Sequence, residues 1–246
     1  MEYKNIVAVQ NGLIETIYFN REENLNTITV EMADEIMAKM EEVKTSIKVV
    51  IIGAKTNFSA GADIKQFKNM NPEEAYNFHR KLNELAMFFR NYDHPVIAFL
   101  NGYVLGGGLE LSLSTDIRVC SNNARLGQPE LNIGINAGAG GNVVLPHVVG
   151  RNRALYMILT GEKINARQAY EFGLVDILAD DSEKEAVRIA KLIEKMPNIP
   201  IKLSKRAVNK SFDGNFQLSM DYEAALFGLL FSTDETKERI KKFFEK

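Results

Sequence analysis

Two glycine-bearing segments and two glutamates hold the residue types from which acyl chemistry could be built. In Asn57-Phe58-Ser59-Ala60-Gly61-Ala62-Asp63-Ile64 a run of small residues follows a buried strand, so backbone N–H groups there can approach a ligand without side-chain obstruction. In Gly102-Tyr103-Val104-Leu105-Gly106-Gly107-Gly108-Leu109-Glu110-Leu111 three glycines run into a predicted helix start. Free N–H groups and the positive end of the helix dipole suit an anion or a developing oxyanion there. An acyl oxygen held by one N–H from each segment would be polarised towards an enolate, and losing one such donor typically costs about 2.7–4 kcal/mol of transition-state stabilisation. Glu110 follows the glycines on the same element, and Glu130 lies in Gly127-Gln128-Pro129-Glu130-Leu131, a turn that Gly and Pro stiffen. Singly, each glutamate reads as a surface residue; together, beside an oxyanion site, they could divide water activation and proton transfer to carbon between them.

Other chemistries find less support. His79, His94 and His147 are scattered without i, i+4 pairing or a cysteine partner, so no metal site is expected, and His79 reads as a solvated helix residue. There is no nucleophile elbow and no P-loop, and Val143 stands where the third glycine of a dinucleotide loop should follow Gly138-Ala139-Gly140-Gly141. Cys120 is the sole cysteine, which fits a reducing compartment. With 30 Lys+Arg against 32 Asp+Glu the net charge of -2 gives no overall footprint for nucleic acid, and the basic C-terminal residues Lys237, Arg239, Lys241, Lys242 and Lys246 read as a solvated helix face. The start lacks a secretory pattern and the longest uncharged run, Pro95 to Leu109, carries four glycines, so neither export nor a membrane span is expected.

The elements that must position these residues follow from pattern. Asn11-Gly12 between Ile6–Gln10 and Leu13–Phe19 predicts an opening β-hairpin. Met32, Ile36, Met40 and Val43 recur at helical spacing, and Val49–Ile52 reads as a buried strand ending at Gly53. Asn71-Pro72-Glu73-Glu74 starts a helix whose stripe is Ala75, Phe78, Leu82, Leu85 and Phe89. Val96–Leu100, Ile117–Cys120 and Val175–Leu178 read as further strands, and Ser232-Thr233-Asp234-Glu235 as the capping box of a last helix. The pattern is α/β through about residue 180, then helical. A core over 1–190 and a helical region over 191–246 are expected, the latter burying its apolar residues at a subunit interface.

Ser59–Ile64, Asn101–Glu110 and Gly127–Glu130 resemble the crotonase (enoyl-CoA hydratase/isomerase) family in order and spacing. Asn20-Arg21 with Asn26, Leu159-Thr160-Gly161, Ala166-Arg167-Gln168-Ala169, Gly173-Leu174-Val175 and Lys202-Leu203-Ser204-Lys205 extend the likeness over nearly the whole chain. The resemblance implies a spiral of repeated ββα units with C-terminal helices used for trimer formation, and a homotrimer or a hexamer of paired trimers. It carries the oxyanion donors to the N–H groups of Ala62 and Gly107, substrate contacts to Ala60, Ala62, Asp63, Ile64 and Gly107, and the catalytic carboxylates to Glu110 and Glu130. The implied reaction is syn addition of water across the 2,3 double bond of a trans-2-enoyl-CoA, reversible with the 3-hydroxyacyl-CoA, with Glu110 activating water and Glu130 delivering the α proton. The implied substrate is an acyl-CoA; no metal, no cofactor beyond that coenzyme A, no nucleic acid and no membrane partner are expected, and the location is expected to be cytoplasmic. Isomerase, decarboxylase or ring hydrolase activity on the same scaffold, and a non-catalytic CoA- or RNA-binding relative, are the competing readings. Two departures bear on the acyl and CoA sites: the run Ile135–Leu145 differs from the family's usual one, and the chain stops at Lys246, short of a basic tail.

Overall fold

The opening hairpin forms as β1 (Ile6–Asn11) and β2 (Ile14–Phe19), with Asn11 paired to Ile14. The turn is therefore Gly12-Leu13, one residue later than expected: of the four residues only Gly12 takes a positive φ (+62°), and Asn11 completes the ladder instead. This computed structural model describes residues 3–212 and 214–245.

From β2 the main sheet runs on through β3 (Val49–Gly53), β4 (Val96–Leu100), β6 (Ile117–Ser121) and β9 (Ile177–Ala179), all parallel to β2. A smaller sheet holds β5 (Tyr103–Leu105), β7 (Arg125–Gly127) and β8 (Ile164–Asn165). β4 passes into β5, and β6 into β7, after short bends, and Ser59, downstream of β3, bridges Val104 in the same way. The turns that start at β3, β4 and β6 thus each pair first in the main sheet and then in the small one before a helix returns the chain, which is the ββα spiral expected.

The helices cover the sheet for the reasons their sequences give. Thr29 caps α1 (Val30–Val43) by accepting the Met32 N–H, and Asn71 and Glu74 close a reciprocal capping box on α2 (Pro72–Asn91). Met32, Ile36, Met40 and Val43 of α1 and Phe78, Leu82, Leu85 and Phe89 of α2 are buried in one core, with Ala75 at its margin. On the opposite face α7 (Ser182–Glu194) lays Ala186, Ile189 and Ala190 over Ile51, Ile97 and Phe99. Burying each large side chain in this way contributes about 1.5–3 kcal/mol.

α8 (Asn198–Ser211) is tied to this body, whereas α9 (Phe216–Leu230) and α10 (Asp234–Phe244) bury no residue and leave Phe216, Phe227, Phe243 and Phe244 exposed. The cap of α10 is Thr233, whose Oγ1 accepts the Thr236 N–H; Ser232, expected in that role, instead donates back to the Leu229 carbonyl and so belongs to the end of α9.

Among the buried polar residues, Glu15 breaks the apolar pattern of β2 without a hydrogen bond among the described residues to offset it. Glu15 of β2 is 1% exposed and neither carboxylate oxygen has a hydrogen-bond partner among the described residues; Lys39 Nζ lies 3.8 Å away. Burial raises its pKa against the partial relief of Lys39. A carboxyl raised above its unfolded value near 4.3 destabilises the fold progressively as pH climbs past that value. Glu15→Gln is therefore expected to stabilise the protein by about 1–3 kcal/mol at pH 8 and by much less at pH 4. Urea titrations of both proteins at the two pH values check this.

Candidate active site

The segment after β3 is held by an unusually complete set of bonds. Ser59 N–H donates to Tyr103 O (2.9 Å), Ala60 N–H to Leu25 O (3.0 Å), Gly61 N–H to Ser59 Oγ (3.1 Å) and Asp63 N–H to Ile28 O (3.1 Å). Ala62 N–H is the exception, with no acceptor among the described residues. The Asn20-Arg21…Asn26 motif explains the tether. Asn26, fully buried with φ +52°, donates to Asn57 O (2.7 Å) and accepts Arg21 N–H (2.8 Å), while the Arg21 guanidinium reaches Thr27 O and, at 3.2 Å, the Asp63 carboxylate.

The three glycines each answer a separate demand. Gly106 has φ +51°, and a Cβ there would come within 2.9 Å of Glu130 Oε1. Gly107 opens α3 (Gly107–Leu113), where its N–H has no helical partner, and a Cβ on it would stand 3.2 Å from the free Ala62 nitrogen. Gly108 lies so close to Ser59 that a Cβ would sit 2.7 Å from that residue's carbonyl oxygen. The Ala62 and Gly107 nitrogens, neither with an acceptor among the described residues, thus lie close together.

Glu110, on the same short helix, is 3% exposed, and its Oε1 accepts the N–H groups of Ala139 and Gly141 at 2.8 Å each. The unusual 135–145 run therefore fastens this carboxylate through its backbone. Glu130 starts a 3-10 turn (Glu130–Ile133); its Oε1 accepts from Gln128 Nε2 (3.0 Å), and its Oε2 is buried without a partner. Ala62, Gly107, Glu110 and Glu130 line one cavity of about 290 Å³, together with Ala60 and Ile64. Of the substrate positions expected, Asp63 alone is outside that lining: its side chain pairs with Arg21 and caps the following turn at Lys65 N–H.

The electrostatics separate the two acids. Burial raises the Glu110 pKa, and the amides of Gly141, Ala139 and Gly138 oppose this by favouring its charged form. Burial, reinforced by the Glu110 charge, raises Glu130 to about 7 against weaker hydrogen bonding. A coupled pair of this kind places its charge on the carboxylate that receives N–H bonds and its proton on the other.

Four residues at the cavity were not legible in the sequence as parts of it. Gln128, 1% exposed, reads as an ordinary turn residue until its amide is seen on Glu130. The Ala139 and Gly141 amides carry no side-chain signal beyond the glycines themselves. His79, expected to be solvated, is half-buried and lines the cavity, because the 3-10 turn Ile64–Asn69 brings Phe67 over the helix face on which it lies. Among the described residues no cluster suits a metal ion, and no helix is long and apolar enough to cross a membrane.

Comparison with known proteins identifies the family. The family model for enoyl-CoA hydratase/isomerase matches residues 9–246. The short-chain-enoyl-CoA hydratase of Clostridium acetobutylicum is 35% identical over 252 residues, covering 100% of this chain and 97% of its own. The crotonyl-CoA hydratase of Syntrophomonas wolfei is 32% identical with the same coverage. The crystal structure of enoyl-CoA hydratase from Thermoplasma volcanium superposes with a TM-score of 0.92 at 42% identity, covering 97% of this chain and 96% of that one. The fold is that of this solved structure, and the chain belongs to the enoyl-CoA hydratase/isomerase family.

Proposed function

We propose that the protein hydrates trans-2-enoyl-CoA thioesters, adding water syn across the 2,3 double bond, and runs the reverse dehydration of 3-hydroxyacyl-CoA. The observation that carries the reading is the buried Glu110 and the half-buried Glu130 sharing a cavity with two unbonded amides, Ala62 and Gly107. The thioester oxygen sits between those N–H groups, which draw charge out of the conjugated system as the β carbon is attacked. Glu110, its charge favoured by backbone amides, takes a proton from the attacking water; Glu130 delivers its proton to the α carbon. Both carboxylates act on one face of the alkene, hence the syn outcome. Ala60 and Ile64 at the cavity, with the backbone of Asp63, serve the CoA arm. No metal or redox cofactor enters these steps.

The exposed apolar residues of α9 and α10 are assigned to contacts between copies, giving a homotrimer or paired trimers, and the site is assigned to the cytoplasm.

Loss of the conjugated-thioester absorbance of crotonyl-CoA tests the reaction; no turnover with any enoyl chain from about four to ten carbons overturns it. In both directions the pair must hold one proton. kcat/KM is thus expected to fall as pH rises through about 7, where Glu130 gives up its proton. A flat profile from about pH 6 to 9 contradicts that assignment.

A further inference from the structure

His79 is the imidazole in the cavity wall, and the protein gives it nothing to bond to. It follows buried Phe78 on α2, edge-on to that ring (5.6 Å, 88°) and tilted against Phe67 (6.3 Å, 41°). Nδ1 is sealed against the backbone of Gly138 and has no hydrogen-bond partner among the described residues. Nε2 is the nitrogen left open, and it too has no partner among them. A sealed, unpaired N–H is rarer and costlier than a sealed lone pair, so the proton belongs on Nε2, making that side a hydrogen-bond donor. Burial lowers the pKa of the ring, which keeps it uncharged at neutral pH.

The position is as informative as the chemistry. Gly138 adjoins Ala139, whose N–H holds Glu110, so the ring stands beside the reacting end of the cavity. Phe67, Leu82 and Ile135 line the same cavity, whose polar side chains besides His79 and the two glutamates are Asn132 and Lys163. An acyl chain of hydrocarbon alone would be served by a fourth apolar side chain, and a donor facing it would lose water with nothing in return.

We propose that His79 is a specificity-determining residue that favours enoyl thioesters whose acyl chain carries an uncharged oxygen, hydroxyl or oxo, beyond the double bond, with Nε2–H donating to that oxygen. This rests on the acyl-CoA reading above. Sites that hydrogen-bond a substrate group discriminate strongly against the analogue lacking it, whereas a shape-filling wedge does not.

The test compares hydroxylated with unsubstituted enoyl-CoA of equal length, the hydroxyl being moved from C4 to C6. At one position the wild-type kcat/KM ratio is expected to exceed about 10, to fall to about 1 in His79→Phe, which keeps the shape, and to survive in large part in His79→Gln, which keeps a donor. The same ratio is read without turnover from calorimetric Kd values for the saturated thioesters, hexanoyl-CoA against its hydroxylated counterparts. Ratios near 1 throughout the wild-type series, a ratio unmoved in His79→Phe, equal losses in Phe and Gln, or a preference for a carboxylated tail each overturn the proposal. If crotonyl-CoA is hydrated and the ratios are flat, the His79 inference alone fails. If the binding ratios hold without hydration, the reaction assignment alone fails.

Discussion

Glu110→Gln and Glu130→Gln are each expected to lower the rate of crotonyl-CoA hydration by at least about 10²-fold while CoA binding persists, in line with removal of a positioned acid or base. The reasons differ between the two. At Glu110 the change swaps an acceptor-only carboxylate for an amide; its oxygen can still receive the N–H groups of Ala139 and Gly141, so the turn stays in place while the base is lost. At Glu130 the amide still accepts Gln128 Nε2 but has no proton of suitable acidity to give. Removing the Glu110 charge also removes one of the two causes that raise Glu130. In Glu110→Gln the residual activity should therefore lose its alkaline limb at a lower pH than the wild type. Steady-state rates, the pH profile and calorimetric titration with CoA separate these effects. Wild-type turnover in both variants would remove the glutamates from the chemistry.

A stability effect of comparable size is expected at Lys205, in the motif Lys202-Leu203-Ser204-Lys205. Its ammonium, 8% exposed, donates to Phe89 O (3.0 Å), His94 O (3.1 Å) and Asp116 Oδ2 (2.7 Å). The same Asp116 oxygen accepts the Val96 N–H (2.7 Å), so one cation joins α8, the end of α2 and the start of β4. Burial pushes Asp116 up and Lys205 down, and each draws the other back. Lys205→Met leaves a largely buried carboxylate without its cation, though still holding the Val96 N–H, and two carbonyls without that donor, at a cost of about 3–5 kcal/mol, or a Tm lower by about 6–20 °C. With the cation gone, Asp116 rises further above its unfolded pKa, so the deficit should shrink towards acid pH, where the carboxyl is neutral in both states. Lys202→Ala is the control: it pairs with Asp93, which Arg206 also reaches at 2.9 Å, and should change stability by less than about 1 kcal/mol. Urea titrations of both variants at pH 5 and pH 8 check the contrast.

Local signals in the sequence located the elements well. The stripes of α1 and α2, the cap at Asn71, and the buried strands at Val49, Val96 and Ile117 all depend on neighbours within a few residues, where periodicity and capping chemistry act. Shifts of one residue at Gly12 and Thr233 arise where two adjacent residues can take the same role and a neighbour three positions away decides between them, Ile14 pairing with Asn11 and the Leu229 carbonyl accepting from Ser232. The site was legible in its amides and carboxylates because glycine runs and paired acids are rare together. Its supports were not. Gln128 and the amides of Ala139 and Gly141 act through contacts that only the closed spiral creates, and the burial of His79 depends on a turn from a different part of the chain.

From Ser59 to Asp63, four amides of five are bound to protein acceptors and the fifth, Ala62, is not. A dipole pinned on both flanks cannot swing aside as charge gathers on a nearby oxygen, nor must it swing into line. Solvent would have to reorient around such a charge at every turnover; in the proposed reaction the orienting is complete once the polypeptide has folded, and the barrier is spared that rearrangement.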